Sequence, residues 1–367
     1  MDLSDLRRAI DAVDDELLRL LNERARLVKE VGKAKESMAA PFYVPDRERM
    51  IVERLKELNV AQAGPFPTEA VQPVFAEIIS ACLSLEKPLR VAYLGPEATF
   101  THQAARARFG LSARYVPAAT IAQVFAEVDK GLADLAVVPI ENSTEGVVTS
   151  TLDMFMESEL TISAEVVLEV NQCLLTRTGS LDEITKVYSH PQALGQCRAW
   201  LAANLPKAAL IEVASTALAA RLARDETSAA AVASELAGQL YDLRIAKAKI
   251  EDSRGNATRF LVVSRPGAAQ MAPTGSDKTS VMLSVRDQPG LLFRVLRPIA
   301  DRGINLTRIE SRPSRRRAWD YVFFLDLDGH STDPKVKDAL IALETACEQV
   351  KILGSYPRAD VPIRPEK

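Results

Sequence analysis

The sequence predicts a multidomain chain in which an all-helical segment, an α/β segment and a small α+β module follow one another. Three observations carry that reading. Residues 3–36 keep apolar side chains at helical spacing without a single proline. At Arg90 the texture changes to short strand-like runs alternating with alanine-rich stretches. Beyond residues 266–278, rich in Pro, Gly and Ala and read as a linker, the order becomes β-α-β-β-α-β. A chain of 367 residues is too long for one ordinary core, so several domains are expected on length alone.

The first helix carries Leu3, Leu6, Ile10, Val13, Leu17, Leu20, Leu21, Leu27, Val28 and Val31 near helical spacing, with Ser4 or Asp5 able to cap it. Pro41 and Pro45 interrupt the chain; helical patterns follow over 46–59 and 68–86, ending at Lys87-Pro88. Three helices this thin bury a core poorly, so residues 1–87 are expected to form a helical domain that dimerises. Next, RVAYLG, ADLAVVPI, ITKVYSH, AALIEVA, AAAVAS and RFLVVS read as strands of an α/β domain over 89–266. The last domain, 279–357, reads TSVMLSVR, a helix from Gly290, INLTRIES, WDYVFFLDLD, a helix over 333–347 and VKILGSY, which fits a ferredoxin-like module.

Hydrophobic residues make up 47% and charged residues 26%, a globular balance that leaves little room for disorder. A net charge of -3, with Lys and Arg dispersed, offers no basic patch, so nucleic acid is a poor partner. No apolar run of about 18 residues argues for a membrane span. The start MDLSDLRRAI is acidic and amphipathic, unlike a secretory signal, so a cytoplasmic location is expected. Cys82, Cys173, Cys197 and Cys347 lie far apart and the histidines are His102, His190 and His330. That spacing indicates no disulfide framework, no metal site and no cofactor.

Arg24 and Lys35 return to about the same helix face, since they are 11 residues apart. Arg7 lies roughly 100° around the axis from Arg24, and so addresses another surface or a partner's pocket. Arg47 and Glu48 open the second helix, while Cys82 and Glu86 form an i,i+4 pair on the third. Solvated helix faces carry the same residue types, so periodicity alone does not decide. The strings LRRAIDAVDDELLRLLNERARLVKEVGKAK and DRERMIVERL, however, closely resemble the all-helical chorismate mutase family over essentially the whole segment. The resemblance implies an intertwined homodimer. It also implies that Arg7 reaches into the partner's site and that Arg24, Lys35, Arg47, Glu48, Cys82 and Glu86 bind chorismate, with Arg24, Lys35 and Glu86 acting on the reacting atoms. A pericyclic rearrangement needs no nucleophile, only cations that fold a dicarboxylate and stabilise charge on the ether oxygen. Val44 stands where the family often has an acid, Cys82 where serine is common and Glu86 where glutamine is common. Only a protonated Glu86 can donate to the ether oxygen, so mutase activity is expected to decline as pH rises.

In the middle domain, RVAYLG runs into GPEATFTHQA, so Thr99 and Thr101 sit at a helix start whose free N–H groups suit an anion. A threonine there is more often a plain N-cap. Glu141-Asn142-Ser143 and Ser189-His190 also read as ordinary strand-end turns when taken singly. Together GPEATFTHQA, VPIENSTEGVV, YSHPQALGQC and NATRF, in this order, closely resemble the prephenate dehydratase family. The resemblance implies two α/β lobes like those of periplasmic binding proteins, with the site in the cleft between them. It assigns Thr258 as the leading catalytic residue, and Thr99, Thr101, Glu141, Asn142, Ser143, Ser189, Gln196 and Arg259 as lining prephenate. The reaction must expel hydroxide, which calls for a proton donor near that oxygen. Thr258 is a weak acid, so a neighbour is expected to polarise it. Arg259 is read as structural or as a carboxylate clamp, and His190 as a hydrogen-bonded structural group rather than the general acid. Ala98 and Thr101 replace the family's usual glycine and serine.

The turn Asp287-Gln288-Pro289-Gly290 allows close approach at Gly290, although a plain turn explains it equally. The string SVRDQPGLLFRVLRPIADRGINLTRIESRPSR resembles the ACT domain at the end of prephenate dehydratases. Gly290, Leu291, Leu292, Asn305, Glu310, Ser311 and Arg312 are then expected to bind phenylalanine, which would inhibit the dehydratase by favouring one arrangement of paired modules. Competing readings make the chain a catalytically inert regulator, or a monofunctional prephenate or arogenate dehydratase whose helical segment only dimerises.

Overall fold

The computed structural model describes residues 2–38, 43, 45–253, 255–268, 272–286, 288–314 and 321–359. They form two compact units: residues 1–90 with 106–114, and most of the remainder. Val44 and Asp287 lie outside the described residues.

The helical unit contains α1 (Leu3–Met38), α2 (Pro45–Ala61) and α3 (Thr68–Glu86), within two residues of the sequence reading. α3 tolerates Pro73 because it falls in the second turn, where few intrahelical N–H bonds are lost. It buries Val71, Ile79, Ser80 and Cys82. Along α1, Leu3, Leu6, Ile10, Val13, Leu17 and Leu20 are all exposed, so the apolar stripe that predicted the helix finds no partner among the described residues. Gly32 has a packing reason: a Cβ there would meet the Glu86 side chain at 3.0 Å, so α1 and α3 approach closely at that point.

The second unit opens with β1 (Arg90–Leu94), α4 (Phe100–Phe109), β2 (Arg114–Ala118), α5 (Ile121–Asp129), β3 (Leu135–Asn142), β4 (Gly146–Val147), α6 (Thr149–Glu157) and β5 (Thr161–Glu169). The chain crosses to a second sheet through β6 (Cys173–Thr176), β7 (Lys186–Ser189), α7 (Pro191–Gln196), α8 (Arg198–Asn204), β8 (Ala209–Glu212), α9 (Thr216–Asp225), β9 (Ala229–Ala233), α10 (Glu235–Leu240) and β10 (Arg244–Lys247). It then returns to the first sheet as β11 (Ala257–Ser264). The sheets have orders β2-β1-β3-β11-β5, with β4 on β3, and β10-β6-β9-β7-β8, giving the two α/β lobes expected. Side-chain caps start several of the helices; Thr120 accepts from Gln123 N, Ser215 from Leu218 N and Ser234 from Ala237 N. In the second lobe Ala217, Ala220 and Ala223 of α9 pack on Ala229, Ala231 and Ala233, so small side chains hold that helix close to its sheet.

The C-terminal module comprises β12 (Asp277–Val285), α11 (Leu291–Ala300), β13 (Leu306–Pro313), β14 (Tyr321–Asp328), α12 (Pro334–Ala346) and β15 (Gln349–Pro357), in the order β13-β14-β12-β15. This is the β-α-β-β-α-β expectation, except that β12 begins inside the stretch read as linker. Asp277 causes the early start, accepting from Thr274 N and Oγ1 and from Gly275 N while buried. One face of this sheet packs on α11 and α12 through Val281, Leu283, Val295 and Leu340. The other face joins the core of the first lobe, where Met282, Phe324, Leu353 and Tyr356 pack with Ile140, Phe155 and Leu261. Gly354 is needed there, since a Cβ would collide with the Ile162 carbonyl.

Candidate functional site

In the helical unit, α1 brings Arg24 and Lys35 to half-buried positions on one side, as their spacing predicts. Arg24 Nη1 is buried and makes no hydrogen bond to any described residue. Lys35 Nζ lies 3.6 Å from Glu86 Oε2, and the Glu86 side chain is only 3% exposed. Glu48 accepts from Tyr43 OH at 3.2 Å and from Arg108 Nη1 at 3.3 Å. Burial pushes the Tyr43 hydroxyl far above its ordinary range, with Glu48 adding to the shift against Arg108, so it stays a donor. Cys82 is a buried free thiol on the same helix as Glu86. A guanidinium nitrogen withdrawn from water without an acceptor is costly unless an anion meets it, so the arrangement suits a negatively charged ligand. Arg7 and Arg47 are exposed, and a single chain does not gather them with Arg24. Gly32 escaped the sequence reading, although an isolated glycine in an unbroken helix marks close packing.

In the second unit, Thr258 opens β11 directly after the second crossover, paired in register with Asn142 at the end of β3. Asn142 Oδ1 accepts from the backbone N–H groups of Thr144 and Glu145, each at 3.0 Å. That fixes the amide, so Nδ2 donates to Thr258 Oγ1 at 2.8 Å and to Asn256 Oδ1 at 2.8 Å. Thr258 thus accepts one hydrogen bond and keeps its own hydroxyl proton for another partner. An amide bonded to Oγ1 also polarises the O–H, which answers the need for a neighbour.

Thr99 Oγ1 donates to Leu94 O at 3.0 Å and accepts from His102 N at 3.3 Å, which makes it a turn-and-cap residue at the start of α4. Thr101 is buried in that helix's first turn. Ala98 sits at φ 67°, a left-handed conformation that the glycine expected from the family resemblance would adopt without strain. Its carbonyl accepts from Ser234 Oγ of the other lobe at 3.2 Å, so this loop bridges the lobes. Gln196 Oε1 accepts from Gln172 Nε2 at 3.3 Å, and Gln172, missed in the sequence, is 2% exposed. His190 Nδ1 accepts from Gln192 N at the start of α7, in keeping with a structural role.

Several of the other expected site residues are bonded to neighbouring elements. Arg259 and Glu141 are cross-strand partners, and strand alternation turns them to the sheet face opposite Thr258 and Asn142. The Arg259 guanidinium is bonded to Glu165 at 2.6 Å, Asp326 at 2.7 Å, Glu141 at 3.2 Å and Tyr356 OH at 3.1 Å, which leaves no fork for a substrate carboxylate. Glu141 is likewise held by Arg259 and Arg308. Ser189 is fully buried and donates to Val232 O at 2.6 Å. Ser143 stitches the crossover, accepting from Ala257 N at 3.0 Å. Burial pushes the Cys197 thiol up to about 12 and the Cys347 thiol up to about 11, which favours their protonated forms.

In the C-terminal module, Gly290 adopts φ 73° as the cap of α11, followed by half-buried Leu291 and exposed Leu292. Asn305 Nδ2 donates to Asp328 Oδ2 at 2.9 Å. Glu310 and Arg312 share one face of the edge strand β13, with exposed Ser311 on the other. Arg312 is already engaged, donating from Nη2 to both oxygens of Asp153 at 2.8 and 3.1 Å, so its guanidinium faces the first lobe rather than an amino-acid ligand. Among the described residues no group of His, Cys, Asp and Glu is arranged to hold a metal ion.

Three family models match in order: Chorismate mutase type II over residues 6–87, Prephenate dehydratase over 91–268 and ACT domain over 279–345. A bifunctional chorismate mutase/prephenate dehydratase of Aquifex aeolicus is 51% identical over 98% of each chain. One of Pseudomonas aeruginosa is 45% identical over 97% of this chain and 98% of its own. The crystal structure of prephenate dehydratase in complex with L-Phe from Arthrobacter aurescens is 38% identical and superposes with a TM-score of 0.69, covering 76% of this chain and 92% of that one. The three matched segments, the full-length similarity and the two-lobed fold agree: this chain belongs to the bifunctional chorismate mutase/prephenate dehydratase family, and carries a C-terminal ACT domain.

Proposed function

We propose that residues 1–87, 89–266 and 279–357 act as mutase, dehydratase and phenylalanine sensor respectively. Chorismate is clamped by Arg24, Lys35, Arg47 and Glu48, with Cys82 and Glu86 beside the ether oxygen and Arg7 supplied by a second copy. The exposed apolar stripe of α1 supports a homodimer, because a long amphipathic helix needs a partner for that face. The unpaired Arg24 Nη1 supports an anionic substrate.

Prephenate then meets Thr258. As the ring C–O bond breaks, the Thr258 hydroxyl donates its proton to the departing oxygen and is reprotonated from solvent. The electrons of the ring C–carboxylate bond move into the ring, releasing carbon dioxide, water and phenylpyruvate. Thr99 and Thr101 at the start of α4 and Gln196 in the second lobe orient the substrate carboxylates. The hydrogen bond from the fixed Asn142 amide to Thr258 carries this reading, because it orients the hydroxyl and leaves its proton for donation. L-Phenylalanine binds at Gly290–Leu292, Asn305, Glu310 and Ser311, where the edge strand β13 can pair with a second module, and lowers dehydratase activity. The enzyme works in the cytoplasm.

One assay tests the whole: chorismate is supplied, and its loss and the appearance of phenylpyruvate are followed with and without phenylalanine. Loss of chorismate, formation of phenylpyruvate and inhibition are all expected. Prephenate made but not consumed, or arogenate turned over faster than prephenate, would overturn the dehydratase assignment.

A further inference from the structure

Thr258 and Arg259 are neighbours on β11 with their side chains on opposite faces. On the far face, Arg259 is 8% exposed and its guanidinium is shared between two sheets. From the dehydratase sheet, Glu165 and Glu141 accept from it; from the sensor sheet, Asp326 and Tyr356 OH do. Lys278 Nζ, also from the sensor, donates to both Glu165 oxygens at 2.8 and 3.1 Å. Behind Asp326, Ser280 Oγ donates to its Oδ1 at 2.5 Å, and the Tyr356 hydroxyl lies 2.6 Å from Ser280 Oγ. Arg308 on β13 closes the ring, with Nε 3.1 Å from Glu141 Oε2.

The two ends of this network are the two functional ends of the unit. Glu141 precedes Asn142, whose amide holds Thr258. Arg308 is two residues from Glu310 on the same face of β13. A cavity of about 10 Å³, room for one water, lies between the sheets against Arg259, Arg308 and Asp326, so the contact has little slack. The register between β11 and β3 also shifts at Arg259/Phe260, directly beside the Thr258–Asn142 pair.

We propose that Arg259 is a positioning residue for the dehydratase, setting Thr258 against Asn142 through strands β11 and β3 while anchored to the sensor sheet, and that this anchor is the route by which sensor occupancy reaches the leaving-group site. A movement of β13 or β14 changes the pull on Glu141 and Arg259 together, and both are one residue from the Asn142–Thr258 hydrogen bond. A buried, multiply bonded guanidinium transmits such a movement because any change leaves a charge unpaired. The second half of the proposal rests on the sensor reading above; the first half does not.

The test uses the full-length protein. Arg259→Lys keeps the charge but loses the fork. Its kcat for prephenate is expected to fall about tenfold or more, with KM within about twofold, because substrate binding is kept and geometry is lost. Tyr356→Phe removes one hydroxyl and should give a smaller fall of the same kind. Arg308→Gln should leave kcat within about twofold while weakening phenylalanine inhibition about fivefold or more, with phenylalanine binding by calorimetry unchanged. Circular dichroism reports whether each variant folds; if Arg259→Lys does not, Tyr356→Phe decides the kinetic arm. A rise in KM at unchanged kcat would make Arg259 a substrate clamp and overturn the proposal, as would parental kcat in both Arg259→Lys and Tyr356→Phe. Failure of the parent to bind phenylalanine sinks the sensor reading and the second half, and leaves the kinetic arm to judge the first.

Discussion

In the helical unit Arg24 Nη1 is buried without a hydrogen bond to any described residue, and α1 exposes one apolar side chain per turn over its first 20 residues. In the second unit Arg259, also buried, is satisfied by four side chains from two sheets, and the apolar faces of those sheets cover each other. The first arrangement leaves a buried cationic nitrogen and an apolar stripe uncovered among the described residues. The second holds its central guanidinium within one chain and leaves the hydroxyl proton of Thr258 for another partner. A pericyclic reaction asks for charge that awaits a substrate, whereas a proton-donating site asks for one group held in a fixed frame.

The largest effect should come from breaking that frame at its centre. Thr258→Ala is expected to lower dehydratase kcat by about 100-fold or more, the range of a positioned proton donor, with mutase rates unchanged. Near-normal phenylpyruvate formation in a stopped assay would remove Thr258 from the mechanism. On the other side of the comparison, Arg24→Ala should lower mutase kcat/KM by about 100-fold, as loss of one electrostatic donor does, and leave dehydratase turnover intact. Steady-state assays on chorismate and on prephenate with one preparation read both.

The second unit also predicts an acid sensitivity. Burial pushes the Asp326 carboxyl up, but Arg259 beside it, the Ser280 hydroxyl and Arg308 outweigh burial and hold it below the usual carboxylate range. A lowered folded-state value gives stability that is present above the unfolded value, about 4, and lost as pH falls through the folded one. Melting temperatures of the full chain should therefore drop below about pH 4, and Asp326→Asn should be less stable at neutral pH and flatter in acid. An acid profile unchanged by that substitution would remove Asp326 as its source. The same packing changes what truncation can report: removing residues 279–367 strips the cover from Arg259, Glu165 and the Ile162 face, so instability is expected besides loss of any phenylalanine response.

Legibility in the sequence followed the range of the interactions. Helix α1 and the strand order of the C-terminal module were readable because their periodicity is local. The strands Arg114–Ala118, Thr161–Glu169, Cys173–Thr176 and Arg244–Lys247 were not singled out, and length is not the reason, since the four-residue strands Lys186–Ser189 and Ala209–Glu212 were. Arg24 and Lys35 lie on one side of α1, as their spacing predicts. The partners that hold Arg259, Glu141, Ser189 and Arg312 were not legible, for one reason. A motif gives a residue's place along the chain, but which face of a strand it occupies, and what covers that face, depends on a partner more than 60 residues away, as Asp326 is from Arg259.

The smallest effect sharpens the helical side. Glu86 lies against Gly32 with Lys35 Nζ 3.6 Å away, so its carboxylate competes with a substrate carboxylate for that cation and repels charge growing on the ether oxygen. A glutamine of the same shape can donate to that oxygen at any pH and carries no charge opposite Lys35. Glu86→Gln is therefore expected to change mutase kcat by about tenfold or less at pH 5 and to raise it more at pH 8, flattening the decline with pH expected of the parent. Matching parental and variant profiles between about pH 5 and pH 8 would mean that the group meeting the ether oxygen is not Glu86. The buried thiol of Cys82 on the same helix would then be the next group to replace, by serine, with the same profile as the readout.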